Sequence, residues 1–190
     1  MNETFFYIFL ILLPPAVIGG TYLISKNPPP ANPETEGPSG VGGWLLILTS
    51  GLIFLGPFVG ALNLNGELVG AESQFPNLLI SETWKEYKSS IWLFYLVMSV
   101  VSIYAGYGLS KRRTPSTVKN TKILLWFLGP VAISCMYLFI PLATFGEIAS
   151  YGQVVFLVAI SCITPTIWSF YLSKSRRVKA TYYPPKAKNA

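Results

Sequence analysis

The chain has 190 residues, 52% of them hydrophobic and only 12% charged, about half the charged share of an ordinary soluble domain. Fourteen Lys and Arg stand against eight acids, every one of them Glu, and there is no Asp and no His. That inventory excludes a Ser-His-Asp triad, an H-E-x-x-H zinc protease, a paired-aspartate intramembrane protease and a histidine-ligated haem, while the two cysteines are too few for a disulfide framework.

In chain order, five uncharged apolar runs appear: Phe5 to Ile24, Trp44 to Leu62, Ile91 to Leu109, Ile123 to Phe145 and Val154 to Leu172. At 1.5 Å rise per residue each run is about 30 Å long as a helix, the thickness of the hydrocarbon layer, and a helix keeps its backbone hydrogen bonds within the segment. The prediction is an all-α polytopic membrane protein, a four-helix transmembrane bundle over 41–182 plus one N-terminal transmembrane helix over 1–24. Pro14-Pro15 and Gly19-Gly20 predict a kink in that first helix. Its flank MNET carries no Lys or Arg, unlike a secretory signal, so it is read as retained.

Residues 25–40 contain SKNPPPANPETEGPSG, a proline-rich cytoplasmic linker, extended and semi-rigid. The loop 63–90 is the longest, holding Glu67, Glu72, Glu82 and Glu86 outside the membrane. Ile80, Trp84 and Tyr87 recur in it at helical spacing, which fits either a short interfacial helix or a loop with anchoring aromatics. Counted between the runs, twelve of the basic residues fall in alternate regions on one side and two on the other. The positive-inside rule then places the amino terminus outside and the carboxyl terminus, with its flexible tail 183–190, in the cytoplasm.

The basic rim on that side comprises Lys111, Arg112, Arg113, Lys174, Arg176, Arg177 and Lys179. Each such residue near anionic lipid contributes about 1 kcal/mol of attraction. Tyr182 and Tyr183 fit an aromatic belt or a surface-lying tail. Nucleic acid is not the expected partner, since no ordered basic face with stacking aromatics is available.

Two strings recur. FLGP stands at Phe54 to Pro57 and at Phe127 to Pro130, and LSKRR and LSKSRR begin at Leu109 and Leu172. A tandem duplication of a helical hairpin leaves such a pattern, and so does the shared composition of apolar helices with basic ends.

GVGGWLLIL at Gly40 to Leu48, Thr83-Trp84, and SKSRRVKATY at Ser173 to Tyr182 resemble the bacterial membrane proteins catalogued as domain of unknown function 2569. The similarity covers Gly40 to Tyr182, with the first helix and linker as an addition. It implies a four-helix fold and a bacterial cytoplasmic-membrane address, and it brings no assigned activity. The family often carries an acid in the span that here reads IWLFYLVMSVVSIYAGYGL, which has none.

Candidate sites are few. Gly56 and Gly60 have the G-x-x-x-G spacing and Ser102 and Gly106 a similar one, a face for close helix packing or for a second membrane protein or subunit. Cys135 and Cys162 close two ISC tripeptides in neighbouring spans and stand at similar distances from the outer boundary. Facing each other they would form a thiol pair able to bridge or to hold a soft metal, whereas separately buried they are inert small hydrophobes. The intramembrane Ser and Thr can bond to carbonyls one turn back and need no ligand. With no charge inside any run, the expectation is a non-catalytic interaction or accessory component of the membrane, without cofactor. Its expected partners are anionic lipid at the cytoplasmic face and a membrane-protein partner or a homo-oligomer; a small solute or ion transporter is the alternative.

Overall fold

The computed structural model describes residues 19–20, 22–24, 39–147 and 150–183. Among them four helices are long and apolar enough to cross a membrane: α1 (Trp44–Gln74), α2 (Glu82–Lys111), α3 (Pro115–Phe145) and α4 (Tyr151–Lys174). A short fifth, α5 (Arg176–Tyr182), follows α4, and no strand occurs among the described residues. The expected first span lies outside the described residues except for 19–20 and 22–24, and so do the linker except for 39–40 and the tail except for Tyr183.

Helix α1 runs along α2, α2 along α3 and α3 along α4, so chain neighbours are spatial neighbours. The fit between α1 and α2 depends on missing side chains. A Cβ on Gly106 would lie 2.5 Å from Ile53 Cγ1 and 3.1 Å from the Thr49 carbonyl, and one on Gly60 would lie 2.8 Å from Tyr95 Oη. Larger residues at either place would hold the helices apart.

Proline shapes the interior of two spans. A π-helical stretch, Gly51–Leu55, ends two residues before Pro57, and another, Cys135–Phe139, ends two before Pro141. A third, Phe127–Val131, contains Pro130 and a non-helical Gly129 at φ −90° and ψ −106°. Proline offers no amide and its ring crowds the carbonyl four residues back, and widening the turn relieves that crowding.

Both FLGP motifs therefore adjoin a π-helical stretch, which ends before Gly56-Pro57 in the first and encloses Gly129-Pro130 in the second, and the two motifs take the same place relative to the next helix. Gly56 faces Ser102, seven residues before Leu109, and Gly129 faces Pro165, seven residues before Leu172. Shared composition does not require that shared register, which a duplicated hairpin would leave.

One end of the bundle is closed by α5, which the sequence reading treats as a basic rim with a surface tail. That reading is corrected for its inner face. Val178 and Tyr182 are fully buried with Val41, Leu45, Leu109 and Leu172, and the Tyr182 hydroxyl donates to the Leu109 carbonyl at 2.5 Å. Gly40 N–H donates to Thr181 Oγ1 at 2.9 Å, and the Arg177 guanidinium lies directly over Gly42. Gly43, at φ 57° and ψ −135°, turns the chain into α1 through a conformation that favours glycine. The two strings GVGGWLLIL and SKSRRVKATY are thus two sides of one contact.

At the other end the long loop expected over 63–90 is replaced by helix. α1 continues to Gln74 and α2 starts at Glu82, leaving only Phe75, the 3₁₀ turn Pro76–Ile80 and Ser81 between them. Leu64 and Leu68, one turn apart, bury against Trp84 and Ile91 and draw the polar stretch NLNGELVGAESQ into a helix that Pro76 terminates. Ser81 caps α2 by accepting from Trp84 N–H at 3.3 Å. Trp84 and Tyr87 therefore lie on the first turns of a spanning helix, and a separate interfacial helix is absent there.

Candidate functional site

Side chains of all four spanning helices line a central cavity of about 650 Å³, within the range of small-molecule sites. Along α1 its lining runs from Ile47 to Glu67, about 30 Å by helix rise, so it is long rather than round. Its walls are apolar, with Leu52, Leu125, Ala132 and Trp168 among them.

Both proline motifs meet the cavity at mid-length, through Gly56, Pro57, Gly129 and Pro165. The π-turn there has a specific consequence. Gly56 N–H bonds to the Gly51 carbonyl and Pro57 has no N–H, so the Leu52 carbonyl has neither an i+4 nor an i+5 amide to accept from. Ser102 Oγ on α2 supplies the donor at 2.7 Å. Tyr95 Oη, beside Gly60, donates to the Pro57 carbonyl. In contrast Thr49, Ser134, Ser161 and Thr166 bond carbonyls of their own helices.

The end away from α5 is polar. Asn63, Glu67 and Tyr137 line it, and the Tyr137 hydroxyl approaches both Glu67 carboxylate oxygens, at 2.8 and 3.0 Å. From sequence alone Glu67 reads as part of an outer loop. The helix that captures it also carries it 23 residues, about 34 Å, from Trp44 to the mouth of the cavity. The neighbouring acids are differently occupied: Glu72 accepts from Trp84 Nε1 at 3.0 Å and pairs with Lys88 at 2.6 Å, and Glu82 pairs with Lys85 at 2.7 Å. Among the described residues no Lys or Arg forms a salt bridge with Glu67. A signal for its role was available in the i, i+4 pair Leu64 and Leu68 flanking it, which marks helix.

The candidate residues fall in separate places. Gly56, Gly60, Ser102 and Gly106 come together on the α1–α2 contact, where Gly60 and Gly106 are filled against by Tyr95 and Ile53. Cys135 and Cys162 are half-buried, unbridged and absent from the cavity lining, and the Cys162 thiol donates to the Val158 carbonyl at 3.3 Å. Their expected equal depth is corrected by helix register. Gly129 sits against the Ser161 carbonyl and Pro165, which puts Cys162 level with Gly129. Cys135, six residues further along α3, lies about 9 Å away along the axis. No group of three or more metal-ligating side chains occurs among the described residues.

The basic residues share one face with α5. Lys111, Arg112, Lys174, Arg176 and Lys179 are exposed, and Arg113 and Arg177 are half-buried. Arg112 lies 5.7 Å from the centre of the Tyr104 ring and Lys122 Nζ donates to Ser173 Oγ at 2.7 Å, tying α3 to α4. The opposite face carries Glu72, Glu82, Lys85 and Lys88.

The profile of the family described as protein of unknown function (DUF2569) matches residues 38–183, most of the chain, and the chain belongs to that family. No curated protein and no solved structure matches it.

Proposed function

We propose that this DUF2569 protein is a non-catalytic membrane component that works by binding, and that the binding element is the cavity between its four helices. The observation that carries this reading is the cavity itself: about 650 Å³, lined by every spanning helix and polar at one end. The absence of His and Asp from the whole chain supports a role without acid-base or metal chemistry. The experiment is extraction into native nanodiscs followed by mass spectrometry of bound small molecules. Ser99 on α2 lines the cavity; a species near one per chain, lost when Ser99→Phe fills the cavity, is the expected result, and an equal yield from Ser99→Phe would count against it.

Transport is the second reading, favoured by one observation. At mid-cavity the helix geometry is already broken, by the π stretch that ends before Gly56-Pro57 and by the non-helical Gly129, and such points serve as hinges for alternating access. Movement of a solute across liposomes by the purified protein would select this reading over simple binding.

The proposed setting is the bacterial cytoplasmic membrane, with a fifth span at the amino terminus, that terminus outside and α5 inside against anionic lipid. Its support is the twelve-to-two partition of basic residues. A second membrane protein or another copy of this chain remains the proposed protein partner, through faces other than the filled one at Gly60 and Gly106. Alkaline phosphatase fused beyond Lys186 should be inactive and fused at Glu72 active; the reverse pattern would invert the orientation.

A further inference from the structure

The cavity is asymmetric in a way that selects a chemical class. Its length is walled by apolar side chains, which favours an apolar body. Its mouth holds Glu67, whose described partner is the neutral Tyr137 hydroxyl and which no described Lys or Arg neutralises. Glu67 is itself exposed, so its carboxylate is open to an incoming cation at the point where the apolar slot begins. Aromatic rings flank the path, Tyr137 at the mouth and Tyr95 below it, and ring faces favour alkylated ammonium groups over hydrated inorganic ions.

The observations also weigh against other occupants. An anionic amphiphile would set its charge beside Glu67. A zwitterionic phospholipid would place its phosphate at the same mouth, and no Lys or Arg lines the cavity to receive it. A small hydrated cation would leave the apolar length unfilled.

We propose that the cavity binds a single-headed amphipathic cation, its alkylammonium-type group at Glu67 and its apolar body along the slot toward Ser102 and Trp168. This rests on the cavity being the binding element, and the experiment separates the two claims.

Full-length protein in phosphatidylcholine nanodiscs is titrated with radiolabelled decyltrimethylammonium, protein-free nanodiscs giving the baseline, and the titration is repeated with decanol as the neutral chain. Wild type is expected to take up the cation saturably at one per chain and to prefer it to decanol by about threefold to fivefold, as an exposed charge contact implies. Glu67→Gln, which keeps a hydrogen-bonding group for Tyr137, should abolish that preference, and Glu72→Gln, whose acid lies outside the cavity, should not. Ser99→Phe should remove both ligands, and its unchanged elution in size exclusion would show that the bundle is intact. Saturable decanol uptake that Ser99→Phe removes, without preference for the cation, would overturn the cation class and leave the cavity as a binding site. Equal cation binding by Glu67→Gln would overturn the role of Glu67, and absence of saturable binding of either chain by wild type would overturn both claims.

Discussion

Ser102 on α2 donates its hydroxyl to the Leu52 carbonyl on α1 at 2.7 Å, an acceptor that the π-turn before Pro57 leaves without an i+4 or i+5 amide. Ser102→Ala keeps the shape and removes the donor, stranding a buried carbonyl at a cost of about 1–2 kcal/mol. The expected outcome is a melting temperature lower by several degrees in detergent. Thr166→Ala removes an exposed hydroxyl that bonds its own helix at the Cys162 carbonyl, so it should change stability by less than about 0.5 kcal/mol. Equal losses for the two variants would show that the Leu52 carbonyl does not depend on Ser102.

Gly60 and Tyr95 are expected to be coupled. A methyl group at residue 60 would sit 2.8 Å from Tyr95 Oη and push the hydroxyl off the Pro57 carbonyl. Gly60→Ala and Tyr95→Phe should each destabilise, and the double variant should lose less than their sum by about 1 kcal/mol, because both delete one hydrogen bond. Strict additivity in thermal or denaturant unfolding would place the two residues out of contact.

What the sequence made legible follows from what each signal depends on. The four spans of the bundle, and the intramembrane hydroxyls that bond their own helices, depend on local properties, and apolar runs show these directly. Glu67 reads as a loop residue because its stretch is polar. Its helix exists because Leu64 and Leu68 bury against Trp84 and Ile91, residues about twenty positions away, and that partner is not visible locally. Tyr182 has the same explanation: an aromatic after a basic run reads as interfacial until Leu109 and Leu172 are seen to enclose it. FLGP was legible as a repeat, yet its meaning as a pair of distorted turns meeting one cavity required both hairpins together.

The thiols provide a test of the α3–α4 register. With Gly129 level with Cys162, Cys135 and Cys162 are offset by about 9 Å along the helices, beyond the roughly 4.4–6.8 Å between Cα atoms that a disulfide spans. Copper-phenanthroline oxidation in nanodiscs, read by peptide mass mapping, should leave both thiols unlinked, and a flexible reagent about 10 Å long should join them. Recovery of a direct Cys135–Cys162 bond would shift α4 along α3 by more than a turn.

Tyr182 links the closing of the bundle to pH. Its side chain is fully buried and donates to the Leu109 carbonyl. Burial pushes its phenol above the usual tyrosine range, with Arg113 working against that shift and Tyr171 adding to it. The neutral phenol is thus the form the fold stabilises. The unfolded chain releases this proton near about pH 10, so the contribution of Tyr182 is complete below that value and is lost as pH rises through it toward the higher folded value. Tyr182→Phe lacks the hydroxyl and should melt lower than wild type by about 1 kcal/mol at neutral pH. The gap should close between about pH 9 and about pH 11, because wild type alone has this proton to lose. The other tyrosines titrate in both proteins and cancel in the difference. A gap that stays constant to the alkaline limit would mean that the phenol titrates alike in the folded and unfolded chains, and α5 would then not be the closure of the bundle described above.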